Sequence, residues 1–251
     1  MRGWDDFRRA LGFLTVLPVG RNLPCDGPLL ARSMALFPAV GLLLGLLLAL
    51  SNWALQLILP PLVAAPLLVA LLAWLTGAMH LDGLADLADG LAGGQDRESR
   101  LRIMKDSRIG AIGAVALVLL LLLKVLAIHS LPAPLQSPAL VLMPAAGRWL
   151  QVVLAALCAY ARPEGGTGGA FVENVGAPQV LYAGLTLALA ALVLFGLKGL
   201  GVLLGLGLLA VWLLRLCNSR LGGVTGDALG AATELAEVAG LLLVLALHRP
   251  F

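Results

Sequence analysis

The sequence predicts an all-α polytopic membrane protein: about seven transmembrane helices, preceded by an N-terminal amphipathic helix that is interfacial or re-entrant. Three observations carry this prediction. The chain is 60% hydrophobic and only 12% charged, about half the charged fraction usual in soluble domains. Its apolar residues fall into runs long enough to cross a bilayer. Most of its basic residues gather in alternate gaps between those runs.

The amphipathic helix is read from "WDDFRRALGFLTVLP" near the N-terminus, whose charged and apolar residues alternate at helical spacing. The first 35 residues do not read as a signal peptide, because Asp5 and Asp6 come early and "LGFLTVLPV" ends in proline without a small-residue cleavage site. Candidate spans follow at residues 36–59, 61–79, 110–129, 138–160, 178–197, 199–216 and 229–247. Pro60 and Pro61 mark a tight hairpin between the first two, and Lys198 marks another between the fifth and sixth. Residues 1–251 thus read as a single integral membrane domain. Cys25, Cys158 and Cys217 are far apart and form no CxxC pair, which argues against a disulfide framework or a zinc site.

Threading seven spans gathers the basic loops on one side. They carry Arg2, Arg8, Arg9, Arg21 and Arg32; then Arg97, Arg100, Arg102, Lys105 and Arg108; then Arg162; then Arg215 and Arg220. The other side receives Lys198 and Arg249. The positive-inside rule makes the first side cytoplasmic. The partner these residues imply is the lipid bilayer and not nucleic acid. Lys124 and Arg148 fall inside apolar runs, where such residues face the bundle interior or snorkel.

One acidic stretch stands out against this frugal use of charge. "MHLDGLADLADGLAGG", residues 79–94, follows an uncharged run and contains Asp82, Asp86 and Asp89. Their i, i+4, i+7 spacing puts them within about 60° of one another on a helix. Carboxylates so placed repel, so either some hold a proton or a cation sits among them. An all-oxygen ligand set suits magnesium or manganese and not zinc. The bland alternative is a solvated loop that merely carries charge. Gly83, Gly90, Gly93 and Gly94 offer positions where backbone can approach a phosphate. His80 is a candidate ligand or phosphate contact, although a lone histidine at the end of a span is more often structural.

A second acidic segment lies in "NSRLGGVTGDALGAATELAEVAG". Asp227 and Glu234 are seven apart, on one helix face, and Glu237 lies a turn further on. Thr225 and Gly226 suit an N-cap ahead of Asp227. Two acidic helices on one side, each beside arginine, resemble a two-metal site for in-line phosphoryl transfer. The alternative is a capped helix whose acids face water. The basic loop between the acidic segments contains "MKDSRIG", where Lys105, Asp106, Ser107 and Arg108 suit a polyanion such as a diphosphate. The positive-inside signal alone would explain most of that loop's arginines. "YARPEGGTGGAFVENVG", residues 160–176, is too glycine-rich for a helix and contributes Arg162.

Together "HLDGLADLADGLAGG", "IMKDSRIGAIGAVALVLLLLLK", "YARPEGGTGGAF" and "SRLGGVTGDALGAATELAE" resemble cobalamin synthases, the adenosylcobinamide-GDP ribazoletransferases. "FLTVLPVG" and "FPAVGLLLG" fit the same family, so the resemblance spans almost the whole chain in order. It implies a transferase of the bacterial inner membrane, with a magnesium cofactor and an active site facing the cytoplasm. A hydroxyl of alpha-ribazole, or of its 5′-phosphate, attacks the cobinamide-side phosphorus of adenosylcobinamide-GDP, and GMP leaves. From their spacing and chemistry Asp82, Asp86, Asp89, Asp227 and Glu234 are the candidate metal ligands and, with His80, the candidate catalytic groups. Lys105, Asp106, Ser107, Arg108, Arg162, Asn218 and Arg220 are the candidate substrate contacts. Association with other enzymes of the corrinoid pathway is a further expectation.

Two other readings compete. Asp86-x2-Asp89-Gly90 echoes the start of the CDP-alcohol phosphotransferase motif, but Leu91-Ala92-Gly93-Gly94 does not continue it. A transporter or channel would also carry acids in its helices, though near the midplane rather than on one side.

Overall fold

The computed structural model describes residues 2–24, 26–162, 164 and 168–248. Cys25, Arg249, Pro163 and residues 165–167 of the glycine-rich loop lie outside the described residues. Among the described residues the chain is helical, apart from one isolated bridge between Tyr160 and Val224.

Two short N-terminal helices, α1 (Arg2–Leu14) and α2 (Gly27–Ser33), lead through a 3₁₀ turn (Met34–Leu36) into α3 (Phe37–Gln56). Asp6 of α1 binds both Arg9 and Arg32, which holds α1 and α2 together. The chain returns as α4 (Pro61–Leu75), and α5 (Met79–Gly93) then turns 92° away from it. Gly77 and Ala78 make this bend with φ of 61° and 56°, and the αL value at Ala78 is unusual for a residue with a Cβ. The polar α6 (Arg97–Ile103) follows, then α7 (Ala111–Ser130) and α8 (Ala133–Leu157). A single turn of helix, α9 (Gly169–Val172), precedes α10 (Ala177–Phe195), α11 (Lys198–Leu221) and α12 (Gly226–Leu247).

Among the described residues, six helices are long and apolar enough to cross a membrane, and the bent pair of α4 and α5 brings the number to seven. This agrees with the span count expected from the apolar runs. Of the bent pair, α4 makes the crossing, and α5 runs across the end of the bundle. The short connections at residues 57–60, 131–132 and 196–197 then fall at one end. The polar segments gather at the other: α1, α2, α5, α6, α9 and the loop before α12. Hydrogen bonds tie this polar end together. Val16 N–H donates to Leu75 O at 2.8 Å, Ala161 N–H to Val224 O at 2.8 Å and Arg100 to Arg220 O at 3.1 Å.

The core is built on α8 and α12, the most enclosed of the long apolar helices, with α3 next, while α7, α10 and α11 turn much of their surface toward lipid. α8 stays helical through Pro138 and Pro144 and packs closely on α3. Gly41 and Gly45 allow that approach, since a Cβ at either would lie 2.5 Å from Ala145 Cα or 2.4 Å from Val141 O. Small residues four apart are how membrane helices bring their backbones together where lipid removes any hydrophobic drive to associate.

Several boundaries differ from those read in the sequence. Residues 97–103 are a helix and not a loop, opened by a capping box in which Asp96 accepts from Ser99 N–H at 2.8 Å and Ser99 Oγ accepts from Asp96 N–H at 3.1 Å. α11 runs to Leu221, so Asn218 and Arg220 sit on its last turn. The glycine-rich stretch holds the four-residue α9. Cys158 and Cys217 are buried and free.

Candidate active site

α5 is helical over the whole acidic stripe, so Asp82, Asp86 and Asp89 do share a face. Beside it stands the start of α12, capped by Thr225, whose Oγ1 accepts from Ala228 N–H at 3.1 Å. The two helices touch where Gly83 lies on the backbone of Asp227; a Cβ there would sit 2.6 Å from Asp227 O. This contact sets Asp227 next to the stripe. Arg162, from the segment after α8, donates to Asp227 Oδ2 at 2.6 Å.

The result is a mouth with excess negative charge. Asp82, Asp86 and Asp227 face one another with Arg162 as their neighbouring cation. Partial burial, then repulsion from Asp82 and Asp227, pushes the Asp86 carboxyl up to about 6.

The other two acids expected here are engaged elsewhere. Asp89 caps α7: its Oδ2 accepts from Gly110 N–H at 2.7 Å and its Oδ1 from Gly113 N–H at 2.8 Å. A carboxylate on a helix N-terminus satisfies orphan donors and the positive end of the dipole. Glu234 lies seven residues, about 10.5 Å, along α12 from Asp227. That distance carries it into the bundle, where it pairs with Lys124. Lys124 also binds Glu237 at 2.7 Å, and Glu237 binds Arg148. Lys124 and Arg148 therefore face the interior, as their place in apolar runs implied. Among the described residues, no group of three or more His, Cys, Asp or Glu side chains is gathered to hold a metal ion. The acids that remain at the mouth are Asp82, Asp86 and Asp227, the last with Arg162 bound to it.

The glycines of the stripe serve helix packing rather than phosphate approach. A Cβ on Gly90 would strike Met104, and one on Gly94 would strike Arg100. Both neighbours belong to α6 or its end, so the glycines press α6 onto α5.

The basic segment forms a second wall. A cleft of about 500 Å³ is lined by Arg97, Arg102, Lys105 and Arg162, with Glu98 and Glu164. Lys105 pairs with Glu164. Arg108 instead grips Asp106, with Nε to Oδ1 at 3.1 Å and a second contact to Oδ2 at 2.8 Å, which holds the Asp106 carboxyl down to about 2. Ser107 is exposed beside this clasp. Asn218 and Arg220 are exposed on the α11 end, and Arg220 O accepts from Arg100. Arg97 donates to Ala161 O at 2.9 Å, tying α6 to the Arg162 segment.

His80 lies at the start of α5, buried, in the wall of a third feature: a partly open cavity behind the mouth. Asp82 and Asp227 stand at the same cavity. So do Phe13, Phe37, Phe171 and Gln151, none of which carried a local signal in the sequence.

The profile of the cobalamin-5-phosphate synthase family matches residues 6–245. The chain belongs to that family. Similar proteins named adenosylcobinamide-GDP ribazoletransferase cover nearly its whole length. The one from Syntrophobacter fumaroxidans is 45% identical, over 94% of this chain and 96% of its own. That from Geotalea daltonii is 42% identical, over 96% and 97%. That from Ectopseudomonas mendocina is 46% identical, over 94% and 96%. No solved structure matches the chain. Family membership removes the transporter reading and the CDP-alcohol phosphotransferase reading. The structure adds that the acids of the mouth lie at the bundle end, while the buried charges deeper in the bundle are paired.

Proposed function

We propose that the protein joins adenosylcobinamide-GDP to alpha-ribazole or its 5′-phosphate and releases GMP, with magnesium, at its acidic mouth. The observation that carries this reading is the meeting of three under-compensated carboxylates with a basic cleft through one shared residue, Arg162. Phosphoryl transfer needs both halves: oxygen donors for a cation and cationic groups for a diphosphate.

Magnesium bound there would neutralise charge that develops on the departing phosphate. One or two of Asp82, Asp86 and Asp227 would hold it, since this ion takes one or two carboxylates and completes its shell with substrate phosphate and water. Arg97, Arg102 and Lys105 of the cleft bind the diphosphate. Arg162 neutralises Asp227 in the free protein and presents a planar fork to phosphate oxygens when the donor is bound. The attacking oxygen of the acceptor forms the new bond to the cobinamide-side phosphorus, and the bond from that phosphorus to the GMP oxygen breaks. The hydroxyl proton passes to a group at the mouth. Asp82 and His80 line the cavity there, whereas Glu234 is committed to Lys124.

The polar end faces the cytoplasm of a bacterial inner membrane in this reading, supported by the concentration of basic residues at that end. Cysteines placed at residues 98 and 219 of a cysteine-free variant should label only from the cytoplasmic side; labelling of either from outside would reverse the orientation. The reaction itself is tested with purified protein in detergent or nanodiscs. GMP should appear only when donor, acceptor and magnesium are all present. Wild-type protein that releases no GMP under those conditions would defeat the proposal.

A further inference from the structure

The cavity behind the mouth has a volume of about 220 Å³. Roughly 150 Å³ of apolar space is enough to take benzene, so this cavity has room for a fused aromatic ring. One side is aromatic. Phe13, Phe37 and Phe171 pack as a cluster, with ring centroids 4.5 Å apart for Phe13–Phe171 and 6.1 Å for each of the other pairs. These rings come from three separate elements, α1, α3 and α9.

The other side is polar and unsatisfied. His80 is 2% exposed and Gln151 is 5% exposed. His80 Nε2 and Gln151 Oε1 are both buried without a hydrogen-bond partner. Buried polar atoms are nearly always paired, so two orphans in one cavity wall point to a ligand that supplies the missing partners. Asp82 and Asp227 complete this side, which puts carboxylates and no lysine or arginine among the lining side chains.

These properties sort the substrates. A phosphate that carries no metal ion is repelled by Asp82 and Asp227 and finds its countercharge in the basic cleft. Guanine carries donors and acceptors along most of its edge; a wall of phenylalanine and methionine would strand them, at heavy cost. A flat bicyclic base with few polar edge atoms loses nothing there, and the hydroxyls of its sugar can serve His80 and Gln151.

We propose that this cavity is the acceptor pocket, with the aromatic base of the nucleoside held against Phe13, Phe37 and Phe171 and its ribose hydroxyls bound by His80 and Gln151. The inference rests on the reaction proposed above. It leaves the sugar beside Asp82 and Asp227, where the attacking oxygen is needed, and it assigns the donor's guanine to the outer cleft.

Binding of alpha-ribazole to the full-length protein, without donor or magnesium, tests it by equilibrium dialysis. Wild-type protein should bind alpha-ribazole, and excess guanosine should not displace it. Phe171→Ala should weaken that binding about 5- to 150-fold, the range seen when an aromatic platform is removed from beneath a base. Phe171→Leu, which keeps the apolar bulk, and Gln151→Leu, which removes the polar partner, give the same reading if the alanine variant folds poorly. Each should raise the KM for the acceptor and leave the KM for the donor unchanged. Displacement by guanosine, or acceptor affinity within twofold of wild type in the folded variants, would overturn the pocket assignment. The two proposals fail separately. Normal GMP release with an acceptor KM indifferent to Phe171 and Gln151 sinks the pocket alone. Acceptor binding that depends on Phe171, in a protein that never releases GMP, sinks the reaction alone.

Discussion

α12 carries acids in two settings, and the contrast between them separates structure from chemistry. At its start, Asp227 joins Asp82 and Asp86 in a mouth where three carboxylates meet one guanidinium. Deeper in the bundle, Glu234 and Glu237 meet Lys124 and Arg148, two anions against two cations, all nearly inaccessible. A buried charge that is fully matched adds little net stability, yet removing one member is severe. A carboxylate left under-compensated in a partly open site costs stability and persists when a ligand repays it. The lesson is that charge in this chain is read by its balance and not by its depth.

The sharpest way to break the comparison is to neutralise one acid of the mouth. Asp86→Asn should cut GMP release roughly 100- to 1,000-fold, the scale of losing one electrostatic contact to the transition state. It should not lower the melting temperature, because it also removes repulsion. If turnover per folded molecule stays at the wild-type level in limiting magnesium, the mouth is not the metal site. Glu237→Gln should do the reverse. It leaves Lys124 and Arg148 with a single carboxylate between them and should destabilise the protein by about 3–5 kcal/mol. Turnover per folded molecule should stay near normal. Removing one charge of each sign together, as in Lys124→Met with Glu234→Gln, should cost less than Glu237→Gln alone. Measured melting in nanodiscs decides this, and equal losses would mean that the four charges do not act as a unit.

A smaller effect follows from protonation of Asp86. With its carboxyl at about 6, a proton competes with magnesium below that pH. The apparent magnesium constant should therefore weaken by up to about tenfold per pH unit on the acid side, and Asp86→Asn should abolish the trend. In metal-free protein the sign reverses. The raised value means that ionising Asp86 opposes folding, so its stabilising contribution is full below its ordinary value of 3.8 and lost as pH rises through about 6. Asp89→Asn is the mildest case. It keeps one acceptor for the α7 amides and should cost about 1 kcal/mol, the usual scale of an impaired cap. A loss of magnesium affinity as large as that of Asp86→Asn would place Asp89 in the metal site after all.

The sequence makes some of this plain and hides the rest for definable reasons. The crossings, the shared side of the polar loops and the stripe on α5 depend on composition and helical periodicity, which are local. Thr225 as a cap before Asp227 is local too. The capping box of Asp96 and Ser99 was also available in the sequence, though hidden in a segment that its arginines made look like a loop. By contrast, Asp89 and Asp86 are chemically identical three residues apart, and only the arrival of the α7 N-terminus distinguishes them. The same holds for Glu234, whose partner Lys124 lies on another helix 110 residues away. The aromatic wall draws Phe13, Phe37 and Phe171 from separate elements, and single phenylalanines in apolar surroundings announce nothing. The bend at Gly77 and Ala78 was obscured because the apolar run continues past Leu75 to Met79.

The segment of α12 between Asp227 and Glu234 acts as a rigid gauge. One added or deleted residue there rotates everything beyond it by about 100° and shifts it by about 1.5 Å. Asp227 could then stay with Arg162, or Glu234 and Glu237 could stay with Lys124 and Arg148, but not both. The six residues between the two acids can therefore vary in kind far more readily than in number, and a length change in this chain is tolerated at its loops and not along this rod.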